Sequence, residues 1–510
     1  MCAYPHFTPL FSQSGASPHS FVPAVDMLAF FCMSWISSRE KMRFLLILFL
    51  CNAFFNDSCF AAVISGQDGN NYQPEFSLCS DAGSDARLKG SICAHVNMPL
   101  SHGKPVTEQP DTTISLFVRK FPAAGIAKGQ LWLIAGGPGE SGASLYSFVE
   151  RFRDSFPGFD LLVPDHRGTG FSSRLCPQEE AVDSPGGSTL VAQEWQSCFS
   201  YLQQHPGYAR QFSLTNAAHD LRQLILQNQD GKPVYVYAVS YGTQLILRAL
   251  QIAELPLDGL ILDSLVPLQT AGKWDLSQRS FVLDDIGRKV LAGPAETSYK
   301  NLLARLAANP ALAKGIPGGE VRQFFGRLLD VPAARQHLPA LIREMEQGTQ
   351  AGELQKVLGI LGEKYAEFGT YPQLPPSIPL VSITSQSENN LRPGLTHEAI
   401  QQENASLLFT SPLPGLLINT GLPAYEPDQY FGKVPASLPP SLVLQGTWDP
   451  KTHYEGAVEH IASLKKTGKL TLVAVNEAPH FILWTAPGCF AKASRAFLAG
   501  QVLMKECQEK

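Results

Sequence analysis

The chain has 510 residues, an ordinary apolar fraction and a formal net charge of −5 at pH 7. That length can bury a large core and leaves room for more than one domain. The mild charge, with no lysine- or arginine-rich run, gives no electrostatic footprint for nucleic acid.

The first segment reads as a leader. Lys41 and Arg43 precede an apolar run from Phe44 to Phe55, and Ala61 offers a small residue at a cleavage point. This is the layout of a secretory signal peptide, with Met42 as its expected start and residues 1–61 set apart from the mature chain. The run falls short of the ~20 residues of a comfortable membrane helix. No stable membrane insertion is therefore expected after cleavage; an uncleaved anchor using the apolar patch near Met27 is the alternative. Cys2, Cys32, Cys51 and Cys59 lie in the leader. Cys79, Cys93, Cys176, Cys198, Cys489 and Cys507 remain and fall into three sequence-local pairs, which suits an oxidising compartment, periplasmic or extracellular. Sequence alone leaves their connectivity open.

In the mature chain, "SICAHVNMPL" and "TISLFVRKF" alternate like the strands of a hairpin. "QLWLIAGGPGESGASLYSFVERF" reads as a buried strand, a glycine-rich turn and a helix, and "FDLLVPDHRGTGFSS" as a second buried strand ending in a polar loop. A helix follows from Thr215 to Gln227. "KPVYVYAV" is then a strand, "SYGTQLILRALQIAEL" a helix and "LDGLILDSLVP" a strand. Continuous apolar strands alternating with helices predict an α/β fold with a mainly parallel sheet covered on both faces. From about Trp274 to Tyr430 the pattern turns helical and irregular; "PSLVLQGTWDP", "YEGAVEHIASL", "KLTLVAVNEAPH" and a last helix then restore the alternation. The expected organisation is a core in two parts, 62–273 and 431–510, interrupted by a helical cap over 274–430. Such a cap would lie over the carboxyl ends of the strands, where open α/β sheets bind ligands.

Chemistry concentrates at those strand ends. "VYAVSYGTQL" has the outline of a nucleophile elbow, with Ser240 between a strand and a helix and Ala238 and Gly242 as its small neighbours. A serine hydroxyl needs an adjacent base. Asp449 ends the strand of "LVLQGTWDP" and His480 follows that of "VAVNEAPHFIL", giving the chain order serine, acid, histidine. Asp263, which also ends a strand, is the rival acid. An oxyanion hole needs two amide donors; the expected pair is Tyr241, after the serine, and Gly137 in "AGGPGESG". A phosphate loop is the competing reading of that segment, and it lacks the G-K-[ST] ending. Asp165 and Arg167 in "PDHRGTGFS" are expected to pair and brace the neighbouring loop. His166, His219 and His480 stand apart from one another, so no metal-ligand spacing is present and no cofactor is expected. "NAS" at Asn404 matches a glycosylation sequon, which counts only in a eukaryotic secretory pathway.

"GGPGESG", "DHRGTGFSS" and "VSYGT", together with "CAHVNMPLSHGKP", "TISLFVR" and "APGCFAKASRAFLAGQVLMKEC", resemble the prolyl aminopeptidase and tripeptidyl aminopeptidase-like serine peptidases of the α/β-hydrolase fold, secreted type. The resemblance spans roughly Cys79 to Cys507. It implies a helical cap, Ser240, Asp449 and His480 as a triad, Gly137 and Tyr241 as oxyanion donors, and a Cys489–Cys507 pair. It further implies removal of one or a few residues from the free N-terminus of a short peptide, through an acyl-enzyme. Such a substrate needs acidic groups for its ammonium; Glu140 and Glu388 are the expected ones. The chain departs from the family at Ala135, where prolyl aminopeptidases usually have histidine, at Ala238 in place of the elbow glycine, and at Gln386, where secreted relatives often have cysteine. A carboxylesterase and a catalytically inactive binding protein on the same fold are the competing functions.

Overall fold

A computed structural model describes residues 74–103, 113–313, 315–349, 352–418 and 420–509. The leader, its cleavage point and the start at Met42 lie outside them.

The strands are β1 (Ser77–Leu78), β2 (Ile92–Pro99), β3 (Thr113–Phe121), β4 (Gly129–Ile134), β5 (Phe159–Pro164), β6 (Val234–Val239), β7 (Gly259–Asp263), β8 (Leu438–Gly446), β9 (Gly468–Val475) and β10 (Glu506–Cys507). They form one ten-stranded sheet in the order β1-β2-β3-β5-β4-β6-β7-β8-β9-β10. The β1–β2, β2–β3 and β3–β5 pairs are antiparallel, and every pair from β5–β4 onward is parallel. The expected hairpin is β2–β3, in register from Ile92 opposite Lys120 to Pro99 opposite Thr113.

Each residue of β4, β5 and β7 is buried. Both sheet faces are covered, so these strands read as apolar runs interrupted only by Gln130, Asp160 and Asp263. Period-two alternation still decides which core each side chain enters. Leu131, Leu133, Tyr237, Ile261, Leu442 and Leu444 pack on one face with Phe152 and Phe490 of the helices Val149–Ser155 and Pro487–Leu498. Trp132, Ile134, Val236, Ala238, Leu260 and Val443 pack on the other, against the helices Leu214–Gln227, Tyr241–Ile252 and Tyr454–Leu464.

Between β7 and β8 the described residues hold helices and no strand, among them Arg279–Leu291, Val321–Leu328, Leu338–Gln347 and Ile378–Glu388. Ile286, Phe324, Leu328, Leu341 and Ile342 of the first three join the first of the two cores, and Leu380 and Ile383 of the fourth join the second.

The six cysteines form the disulfides Cys79–Cys93, Cys176–Cys198 and Cys489–Cys507. With partners 14, 22 and 18 positions apart in sequence, the chain-entropy account assigns each about 3 kcal/mol. No helix among the described residues is long and apolar enough to cross a membrane.

Asp165 and Arg167 do not pair with each other. Arg167 makes a two-bond ion pair with Asp220 of the helix Leu214–Gln227, at 2.7 Å each, and also donates to the carbonyls of Leu100 and Gln211. Asp165 instead accepts from Ser141 Oγ at 2.9 Å and from the amides of Gly142 and Phe171 at 2.7 and 2.9 Å. The two side chains leave the backbone in different directions. Each braces a loop, and only Asp165 touches the glycine-rich one.

Candidate active site

β6 ends at Val239, the next helix begins at Tyr241, and Ser240 between them has φ 54° and ψ −125°. A non-glycine residue there is strained by about 1–3 kcal/mol and persists only where its surroundings over-determine it. Here Ser240 N donates to Asp263 O at 3.0 Å, and Ser240 O accepts from Thr243 N at 2.8 Å and Thr243 Oγ1 at 2.7 Å. Strand and helix pass closely at this corner. A methyl group at Gly242 would come within 2.6 Å of Ala135 O and 2.7 Å of Ile134 O. Ala238, in the position the motif usually gives to glycine, is fully buried, opposite Ile134 and Leu262, with its methyl accommodated in the second core.

Asp449 and His480 meet on the loops after β8 and β9. His480 Nδ1 lies 2.9 Å from Asp449 Oδ2, which also accepts from Thr452 Oγ1 at 2.7 Å and Gln445 Nε2 at 3.2 Å. Asp449 Oδ1 accepts from the amides of Lys451 and Thr452 at 2.7 and 2.8 Å. Burial works to raise the Asp449 carboxyl. The facing His480, its hydrogen bond and the Lys451 amide outweigh that, and the pKa is lowered.

The rival acid, Asp263, faces away from this pair. Its buried carboxylate accepts from Tyr237 Oη at 2.8 Å, Ser264 Oγ at 3.0 Å and the amides of Ile482 and Leu483 at 2.8 and 2.9 Å. Phe481 N donates to Ser264 Oγ at 2.8 Å. Asp263 thereby clamps the segment that follows His480. Burial raises its pKa against those donors.

The glycine-rich loop lies against the elbow. A methyl group at Gly136 would sit 3.2 Å from both Ser240 Cβ and Glu140 Oε2. Gly137 has φ 114°, a conformation open to glycine and strained for other residues. Neither Gly137 N nor Tyr241 N donates to another group of the described residues. Both residues line one cleft with Ser240, Lys451 and Thr452, and its free space, open mouth included, is about 540 Å³. Arg279 and Asn389 of the helical segment form part of the same wall.

The structure thus gathers Ser240, Gly137 and Tyr241 around one cleft, and Thr452 links that cleft to the Asp449–His480 pair. No hydrogen bond joins Ser240 to His480 among the described residues; catalytic hydrogen bonds in ligand-free sites are often long and tighten in the complex. Glu140 keeps solvent-accessible surface, yet protein crowds it. That desolvation pushes its carboxyl above the usual range, while Lys451 and His480 pull it back. Glu388 is placed differently. It is buried, with Oε2 3.2 Å from Arg248 Nη2 and 2.5 Å from Gln269 Nε2. Its charge is matched inside the protein.

Sequence reasoning passed over Arg279, Lys451, Thr452 and Gln445. Thr452 and Lys451 stand within three residues of Asp449, so "DPKTH" carried a local signal. Arg279 carried none, because a helical arginine ordinarily faces solvent. Among the described residues no group of three or more His, Cys, Asp or Glu side chains could hold a metal.

Residues 131–487 match the family described as alpha/beta hydrolase fold, and the chain belongs to that family. The chain is 23% identical over 319 residues to the protein named "Putative hydrolase YuaR" of Escherichia coli (strain K12), covering 56% of this chain. It spans 62% of the length of that relative. Among solved structures, VinJ matches 80% of this chain and 99% of its own at 12% identity and a TM-score of 0.38. A laboratory-evolved variant of potato epoxide hydrolase StEH1 matches 76% and 96% at 15% identity and a TM-score of 0.36. A thermophilic esterase from Thermogutta terrifontis matches 78% and 98% at 16% identity and a TM-score of 0.32.

Proposed function

We propose that the protein is an exported serine hydrolase that removes one or a few residues from the free N-terminus of short peptides. The observation that carries the hydrolase reading is the buried 2.9 Å contact of His480 with Asp449 beside a serine held in a strained strand–helix turn. In this reading Ser240 Oγ attacks the scissile carbonyl and His480 takes its proton. Asp449 holds the imidazole tautomer and stabilises the imidazolium. The amides of Gly137 and Tyr241 receive the oxyanion. His480 then protonates the leaving amine, and water releases the acyl group by the same steps in reverse.

The aminopeptidase part rests on the resemblance of "GGPGESG", "DHRGTGFSS" and "VSYGT", with Glu140 beside Ser240 as the group for the substrate ammonium. Glu388, neutralised by Arg248, is not used. Export is supported by the three disulfides. The second reading, an esterase acting on small acyl esters, is favoured by the cationic side of the cleft, where Arg279 and Lys451 stand. Labelling with a fluorophosphonate, set against Ser240→Ala, tests the hydrolase reading. Absence of labelling in folded wild-type protein would sink it. Turnover of p-nitrophenyl esters with no release of N-terminal residues from peptides would select the esterase.

A further inference from the structure

Six arginines are buried among the described residues: Arg119, Arg167, Arg174, Arg248, Arg279 and Arg335. Five have hydrogen-bond acceptors. Arg119 donates to Asp81 and Ser91, Arg167 to Asp220 and Arg248 to Glu388. Arg174 donates to Gly170 O and Arg335 to Glu477 O. Arg279 is 7% exposed, and among the described residues its Nε is buried without a partner and its guanidinium makes no hydrogen bond or ion pair. Leaving a buried donor unmatched costs about 1–3 kcal/mol, more for a charged group. Arginine, unlike lysine, does not escape the cost by losing its proton.

Asp449, Asp330 and Asp275 favour the Arg279 charge through space, but none comes within ion-pair distance among the described residues, and one oxygen each of Asp275 and Asp330 is itself buried without a partner. Asp449 is held by His480 and Thr452, and Asp330 lies 3.3 Å from Lys451 Nζ. Asp275 accepts from Ser277 and from the Leu391 amide. Arg279 instead lines the cleft that contains Ser240, with Lys451 in the same wall. A planar guanidinium with free donors matches the two oxygens of a carboxylate.

We propose that Arg279 is a specificity-determining residue that binds a carboxylate of the substrate, so that compounds with a free carboxylate are hydrolysed in preference to their neutral counterparts. The proposal rests on the hydrolase reading and sharpens its substrate class. A short peptide with both termini free would place its ammonium at Glu140, beside the nucleophile, and its carboxylate at Arg279, on the helical segment. The ligand supplies the acceptor that the fold withholds.

The test compares matched substrates on the full mature protein. One arm sets a free tripeptide against its C-terminal amide, which puts the carboxylate on the leaving group. The other sets mono-p-nitrophenyl succinate against p-nitrophenyl butyrate, which puts it on the acyl group. Wild type should favour the carboxylate in one arm by about 10- to 100-fold in kcat/KM, the range of a charge-assisted hydrogen bond. The preference should reside in KM, fall toward unity in Arg279→Gln and return in part in Arg279→Lys. No preference in either arm of wild type overturns the proposal, whatever the fate of the variants, as does a preference that survives in folded Arg279→Gln. Fluorophosphonate labelling separates the two failures. A labelled enzyme indifferent to the carboxylate loses only this proposal, and an unlabelled one loses the hydrolase reading with it.

Discussion

Asp449→Asn should leave the fold in place and lower kcat/KM by about 10⁴-fold. The magnitude follows from the donors around the carboxylate. Oδ1 receives the amides of Lys451 and Thr452, which belong to the backbone and cannot turn away. An asparagine must therefore give them its oxygen and place its NH₂ where Oδ2 was, 2.9 Å from His480 Nδ1. The imidazole then has to accept at Nδ1 and carry its proton on Nε2, the nitrogen that should receive the serine proton. The residue that remains is a histidine in the wrong tautomer, facing no negative charge when it becomes an imidazolium. A 10⁴-fold loss corresponds to about 5.5 kcal/mol of barrier. The stability cost is smaller. Thr452 Oγ1 can rotate to accept, and only Gln445 Nε2 opposes the new NH₂, which amounts to about 1–3 kcal/mol. Steady-state turnover of a p-nitrophenyl ester gives the first quantity and thermal melting the second. A folded variant within tenfold of wild type would refute Asp449 as the partner of the catalytic base.

Ser240→Gly should abolish turnover while raising the melting temperature by an amount equivalent to about 1 kcal/mol, since glycine relieves the strain at φ 54°; a melting temperature no higher than that of Ser240→Ala would count against a strained elbow. Asp263→Ala should lower kcat more than KM by freeing the Ile482 and Leu483 amides that fix the His480 segment; unchanged kcat with a lowered melting temperature would make Asp263 purely structural. Burial lowers the His166 pKa from 6.5 to about 4. The unfolded chain therefore binds the proton more readily than the folded one. The resulting stability is complete above pH 6.5 and is lost as pH falls toward 4, about 3 kcal/mol in all. Melting from pH 7.5 to 4 should show a shallower acid loss in His166→Asn than in wild type; parallel curves would exclude His166 as a source.

Much of the fold was legible because both faces of the sheet are covered. β4, β5 and β7 are apolar but for one polar residue each, Gln130, Asp160 and Asp263, so they stood out against the helical segments whatever their tertiary partners. The Asp449–His480 contact was legible for a related reason: in a parallel sheet, strand ends after β6, β8 and β9 emerge on one edge. Side-chain partnerships across long separations were not. Arg167 was matched with its near neighbour Asp165, but its partner is Asp220 on a helix. Glu388 was expected to take a substrate amine, although it closes an internal ion pair with Arg248.

The sequence by itself determined the strand–helix alternation, the elbow at Ser240 and the order of serine, aspartate and histidine, because each is written in local periodicity or in residues at strand ends. Only the tertiary structure decided which charges are neutralised and which remain free. Glu388 and Arg279 are both buried charges on the helical segment between β7 and β8. One meets an opposite charge directly, and the other lines the cleft with no hydrogen bond or ion pair among the described residues. That difference depends on which distant residues the packed chain brings within hydrogen-bond reach, and no local pattern records it.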